Sequence, residues 1–123
     1  MEIRGIKGEI LDLLMELGRE SHPHEFVGLL CGNCGVIDEF NLLPGSEGRE
    51  ESATLLLDMI PLGLSPAGSV HSHPNGVLYP SDQDLSFFPR VGRCHLIVGA
   101  PYLQESWRAF RTDGRAYPLD VVG

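Results

Sequence analysis

A mixed α/β fold, a curved β-sheet with flanking helices, is what this sequence predicts, and three observations predict it. An amphipathic stretch of helical period comes first. Short apolar runs bounded by Gly, Pro and Asn follow it. A second, shorter helical segment then interrupts those runs. With 123 residues, one domain spanning 1–123 is expected.

Residues 6–20 read as a helix. Ile6, Ile10, Leu13, Leu14 and Leu17 recur at helical spacing, while Lys7, Glu9, Asp12, Glu16 and Arg19 take the other side. Gly18 weakens the end and His22-Pro23 stops it. Residues 26–31 predict a buried strand that pairs with 35–42 across a Gly32-Asn33 turn, which would set Cys31 and Cys34 opposite one another. Cys31-Gly32-Asn33-Cys34 is a C-x-x-C with no second copy to complete a structural zinc site. Two small residues flanking a turn are therefore expected there, rather than a redox pair.

The polar, glycine-bearing run 44–51 reads as a loop and 53–57 as a strand, and Pro61 and Gly63 allow at most one helical turn in 58–64. Residues 69–73 form the central strand, which Pro74 stops. Ser81 opens a helix that runs to about Phe88 and is closed by Pro89. Residues 95–99 are an apolar strand led by His95, for which a hydrogen-bonded, semi-buried position is expected. Residues 105–112 alternate as a strand, Asp113-Gly114 signals a hairpin, and 116–122 is expected to pair back.

The balance of charge excludes some functions. Formal net charge is −8, and the nine Lys and Arg residues are scattered, so no phosphate-tracking surface is expected and nucleic acid is not a partner. Five acids lie among the first twenty residues, which no signal peptide carries. No apolar run approaches the ~18 residues of a membrane span. A cytoplasmic protein without a membrane partner is expected.

The chemistry is concentrated in His71-Ser72-His73-Pro74 and Ser81-Asp82-Gln83-Asp84. Alternation along a strand turns His71 and His73 to one face, so two imidazoles can reach one metal ion, with Asp84 as a third ligand. Three protein ligands leave a fourth position for water, the mark of a catalytic rather than a structural zinc. Blander readings exist for each piece. Ser81-x-x-Asp84 is also a capping box, and Glu25 alone is one of seventeen acids. His22-Pro23-His24 repeats the histidine spacing with no S-x-x-D after it and reads as surface. Capping explains neither the pair His71 and His73 nor Glu25 at a helix-to-strand junction.

With H-x-H-P, six residues, S-x-x-D, and an upstream Glu25-Phe26-Val27-Gly28-Leu29-Leu30, the chain resembles the JAMM/MPN metalloproteases over nearly its whole length. The resemblance implies a cytidine-deaminase-like core and one Zn²⁺ per chain held by His71, His73 and Asp84. It implies Glu25 as the general base and Ser81 as the donor to the oxyanion. It also implies a substrate: the amide bond after the C-terminal Gly-Gly of a ubiquitin-like modifier, its glycine tail pairing with a sheet edge at 51–57. Trimming of a C-terminal adduct from a sulfur-carrier protein is an alternative, as is a non-catalytic MPN scaffold. Ten residues separate Asp84 from His95, where larger deubiquitinating members carry an insertion, so the compact stand-alone prokaryotic type is the nearer resemblance.

Overall fold

Seven strands form one mixed sheet in the computed structural model, which describes residues 2–43 and 65–123. The elements are β1 (Gly5–Lys7), α1 (Gly8–Ser21), β2 (Val27–Asn33), β3 (Val36–Leu42), β4 (Gly68–His73), α2 (Asp82–Phe87), a 3₁₀ turn (Phe88–Arg90), β5 (Cys94–Gly99), β6 (Trp107–Phe110) and β7 (Asp120–Val122). The sheet order is β6-β5-β4-β2-β3-β1-β7. Neighbours of β2 run antiparallel to it, while β4 and β5 are parallel, as are β1 and β3 and β1 and β7. The expected loop at 44–51, the strand at 53–57 and the turn at 58–64 lie outside the described residues.

The strands alternate two sets of side chains across the sheet. One face carries Leu30, Ile37, Val70, Leu96 and Val98, which pack with Ile10, Leu11, Leu14 and Met15 of α1. The other carries Leu29 and Ile97, covered by Phe87 and Phe88 from α2 and the 3₁₀ turn. This second face also holds Ser69, His71 and His95, all buried. The sheet is thus covered on both sides, and the polar groups lie under the smaller lid.

Several local expectations are corrected. Ile6 belongs to a strand, and α1 begins two residues later. A three-residue strand is too short to show a period, and its pairing partners β3 and β7 are distant in sequence. Helix α1 runs through Gly18 to Ser21, and the ring of Tyr102 lies across that glycine, where a Cβ would stand 2.3 Å from the ring. The hairpin turn lies at Cys34-Gly35, both at positive φ, with Asn33 paired to Val36. Cys31 consequently pairs with Glu39 rather than facing Cys34, and all three cysteines are free. The C-terminal hairpin is confined to its tip, where Phe110 bridges Ala116 and backbone hydrogen bonds run from Arg111 to Arg115 and from Tyr117 to Ala109. Pro118 cannot donate to a ladder, and the chain crosses to pair β7 with β1 on the opposite edge.

Close approach of β4 to β5 sets the positions of the histidines. A Cβ at Gly68 would lie 1.5 Å from the carbonyl oxygen of Cys94, so the two strands would have to part. Gly68→Ala should destabilise the protein by about 1–3 kcal/mol or more, read as a fall in Tm. An unchanged Tm would show that this edge of β4 yields freely.

Candidate metal centre

Two elements bring the motif together. Alternation along β4 sends Ser69, His71 and His73 to one face, and Pro74 ends the strand there. Helix α2 begins opposite, capped by Ser81. The Ser81 hydroxyl accepts from the Asp84 N–H at 3.1 Å, and the Ser81 N–H donates to Asp84 Oδ2 at 2.9 Å. The capping box and the motif are therefore the same four residues. Capping fixes the Asp84 carboxylate against the histidines instead of leaving it in solvent.

Asp84 meets both rings. Its Oδ2 lies 2.9 Å from His73 Nε2, and its Oδ1 lies 3.4 Å from His71 Nδ1. The other nitrogen of each ring is engaged elsewhere. His73 Nδ1 is 2.7 Å from the Val77 carbonyl, which can only accept, so Nδ1 carries hydrogen. His71 Nε2 is 2.9 Å from the Ser69 hydroxyl. The ring of His71 is wedged edge-on to Phe87, with centroids 5.0 Å apart, and tilted against Phe88.

Burial divides the two histidines electrostatically. It pushes His71 down to about 4, a shift only partly offset by the charge of Asp84, so this ring is neutral near pH 7. Burial also acts to lower His73. Its hydrogen bonds to Asp84 and Val77 and the charges of Asp84 and Glu25 outweigh that, and its pKa is raised. Desolvation opposes ionisation of Asp84, yet the hydrogen bond from His73, the neighbouring His71 and the Ser81 N–H hold its carboxyl below the usual range.

Glu25 is exposed, two residues before the start of β2, and close enough for its charge to act on His73. Its junction is tied to β4 from both sides of one side chain and its backbone. The Phe26 N–H donates to the Ser72 hydroxyl at 2.6 Å, and the Ser72 N–H donates to the Phe26 carbonyl at 3.0 Å. Ser72 thus points away from the histidines and serves the backbone. Ser81 is also exposed. Its oxygen takes the capping hydrogen bond, which leaves its own O–H free to donate outward.

By its chemistry the donor set, two imidazole nitrogens and a carboxylate, is of the kind that holds a divalent cation. Among the described residues no group of three His, Cys, Asp or Glu side chains stands assembled to hold a metal ion. Here the carboxylate closes directly onto the rings, each oxygen facing a different one. His22 and His24 are exposed, in keeping with a surface reading.

Two residues behind the site were not identified as part of it from sequence. Ser69 Oγ is 2.7 Å from Nδ1 of His95, which is fully buried and stacks on Phe88 with centroids 4.1 Å apart. The signal that finds Ser69 is its parity with His71; His95 needs the parallel register in which it faces Ser69. Burial, with the neighbouring His71, pushes His95 down to about 3 despite a hydrogen bond to the backbone of Gly92. An unfolded chain protonates this histidine near pH 6.5, whereas the folded one resists to about 3. The unfolded state therefore binds more protons in that window, and stability falls as pH drops through it. His95→Asn should flatten the pH dependence of unfolding between about 3 and 6.5 by up to ~1.4 kcal/mol per pH unit, measured by denaturant titration. An unchanged slope would show that His95 titrates normally in the fold.

Comparison with known proteins gives a consistent answer. Residues 8–113 match the family model described as prokaryotic homologs of the JAB domain. A probable metalloprotease of Haloferax volcanii is 40% identical over 131 residues, covering 98% of this chain and 81% of that protein. A solved JAB1/MPN domain protein from Archaeoglobus fulgidus is similar with a TM-score of 0.80 and 36% identity, covering 97% of this chain and 99% of that one. Another structure, described as a JAMM metalloprotease-like zinc site in the proteasome and signalosome, has a TM-score of 0.77 and 33% identity. It covers 98% of this chain and 99% of its own.

Proposed function

The chain belongs to the family of prokaryotic homologs of the JAB domain, the JAMM/MPN family, and from that premise we propose that it is a zinc-dependent protease cutting the amide bond after the C-terminal Gly-Gly of a ubiquitin-like modifier. One observation carries the proposal. The Asp84 carboxylate faces one nitrogen of each of two imidazoles, while the remaining nitrogen of each ring is already engaged by Val77 or Ser69. An imidazole lone pair and a carboxylate repel unless a proton or a cation lies between them, and a cation satisfies both rings at once.

His71, His73 and Asp84 would hold the zinc. When bound, it supplies a Lewis acid that polarises the scissile carbonyl and makes water nucleophilic at neutral pH. Glu25, exposed and at the helix-to-strand junction, accepts a proton from the attacking water and returns it to the leaving amine nitrogen as the C–N bond breaks. Water itself attacks the carbonyl carbon, so no acyl-enzyme forms. The free O–H of Ser81 donates to the carbonyl oxygen as negative charge gathers there.

Ser81→Ala should lower kcat by about 10²–10³-fold through loss of that donor. It should also cost ~1 kcal/mol of stability through the lost cap. Ser81→Thr, which keeps both hydroxyl functions, should restore both. Full turnover by Ser81→Ala at a reduced Tm would leave Ser81 as a cap alone.

The proposed substrate is tested with zinc-loaded protein against two conjugates: a Gly-Gly–lysine isopeptide of a ubiquitin-like protein, and a sulfur-carrier protein extended beyond Gly-Gly by one cysteine. Cleavage of the first supports the isopeptidase reading. Cleavage of the second alone would make the enzyme an adduct-trimming peptidase. Stoichiometric zinc with neither conjugate cut would favour a scaffold. The edge at 51–57 expected to receive the glycine tail lies outside the described residues.

A further inference from the structure

We propose that Ser69 and His95 are positioning residues for His71, holding it in the tautomer whose hydrogen is on Nε2, so that Nδ1 is the nitrogen offered to the metal. The inference rests on the metal reading above and names which nitrogen of this ligand binds and what enforces it.

The assignment follows from counting donors along one line of buried groups. The Thr112 hydroxyl donates to the Gly92 carbonyl at 3.4 Å, which can only accept. Its oxygen is then left to accept from His95 Nε2, 3.5 Å away, so that nitrogen carries hydrogen. His95 Nδ1 faces the Ser69 hydroxyl at 2.7 Å. A fully buried imidazole stacked face to face on Phe88 is neutral, which leaves Nδ1 bare. The Ser69 O–H must then point to His95. Its oxygen is left to accept at 2.9 Å from His71, so His71 Nε2 carries hydrogen and Nδ1 does not. Nδ1 is the atom that faces Asp84.

The fold supplies this line without slack. Ser69 and His71 share a face of β4, and the parallel register sets Ser69 beside His95 on β5. Phe88 packs against both rings and fixes their planes. His73 uses the opposite arrangement, with hydrogen on Nδ1 against Val77, so that Nε2 is the nitrogen that faces Asp84. The two histidines thus present different ring nitrogens to Asp84.

The test has two readouts, neither of them turnover. Long-range ¹H–¹⁵N correlation spectra report which ring nitrogen of His71 is protonated, and competition with a chelating dye gives the zinc dissociation constant. The wild type should show hydrogen on Nε2 of His71 with and without zinc. Ser69→Ala and His95→Leu should each weaken zinc by roughly 10–100-fold, the usual scale for losing a partner behind a ligand, and should mix the His71 tautomers. His95→Asn, whose amide oxygen can accept in place of Nδ1, should stay close to wild type in both. Should the variants fail to fold, the wild-type spectrum decides alone. Zinc bound with hydrogen on Nδ1 of His71 would overturn this inference and leave the metal reading standing. A folded Ser69→Ala with unchanged affinity and tautomer would do the same. A wild type that binds no zinc would overturn both.

Discussion

Glu25→Gln should keep its zinc and lose about 10²–10⁴-fold in kcat, the range that general acid–base catalysis contributes. The amide is nearly the same size as the carboxylate and leaves the fold alone, since Glu25 is exposed and the hydrogen bonds at this junction belong to the backbone of Phe26. What it removes is the ability to take a proton from water. KM should change little, because the side chain acts on the proton and not on the glycine tail. Zinc content by elemental analysis and kcat on the Gly-Gly conjugate are the paired measurements. Wild-type turnover with zinc retained would take Glu25 out of the mechanism.

His73→Ala should empty the site and abolish turnover. His73 is the ligand to truncate because it is only partly buried, so little packing is lost with it. Deleting it removes the nitrogen 2.9 Å from Asp84 and leaves only His71 and the carboxylate, too few to hold zinc against water. His71→Ala should empty the site as well, but with a stability cost, because the His71 ring fills the space beneath Phe87 and Phe88. Zinc stoichiometry after dialysis against a weak chelator separates the outcomes. Full zinc occupancy in His73→Ala would place the ion elsewhere.

Much of the centre was legible because it depends on local rules. Strand alternation set His71 and His73 on one face, Pro74 ended their strand, and the S-x-x-D spacing placed Asp84 in the first turn of α2. Most of α1 and the strands β2 to β6 were legible from period and from turn signals. The missing parts are those that depend on non-local pairing. Three-residue β1 has no period of its own, and β7 abandons its hairpin because Pro118 interrupts the ladder and β1 offers a free edge. The β2–β3 turn slipped by two residues because Gly32, which looked like turn material, is needed within the strand: a Cβ there would meet Ile3 at 2.9 Å and the Val36 carbonyl at 3.0 Å. Ser69 and His95 were hidden for the same kind of reason. Each is unremarkable alone, and only the register of β4 with β5 joins them.

The free thiols of Cys31, Cys34 and Cys94 are the competing zinc ligands in this chain. X-ray absorption at the zinc edge on the purified protein distinguishes the two ligand sets. With the ion at His71, His73 and Asp84, the expected result is a shell of nitrogen and oxygen alone at ~2.0–2.2 Å, with the outer-shell scattering of two imidazoles. A sulfur shell at ~2.3 Å, or zinc without imidazole scattering, would contradict it.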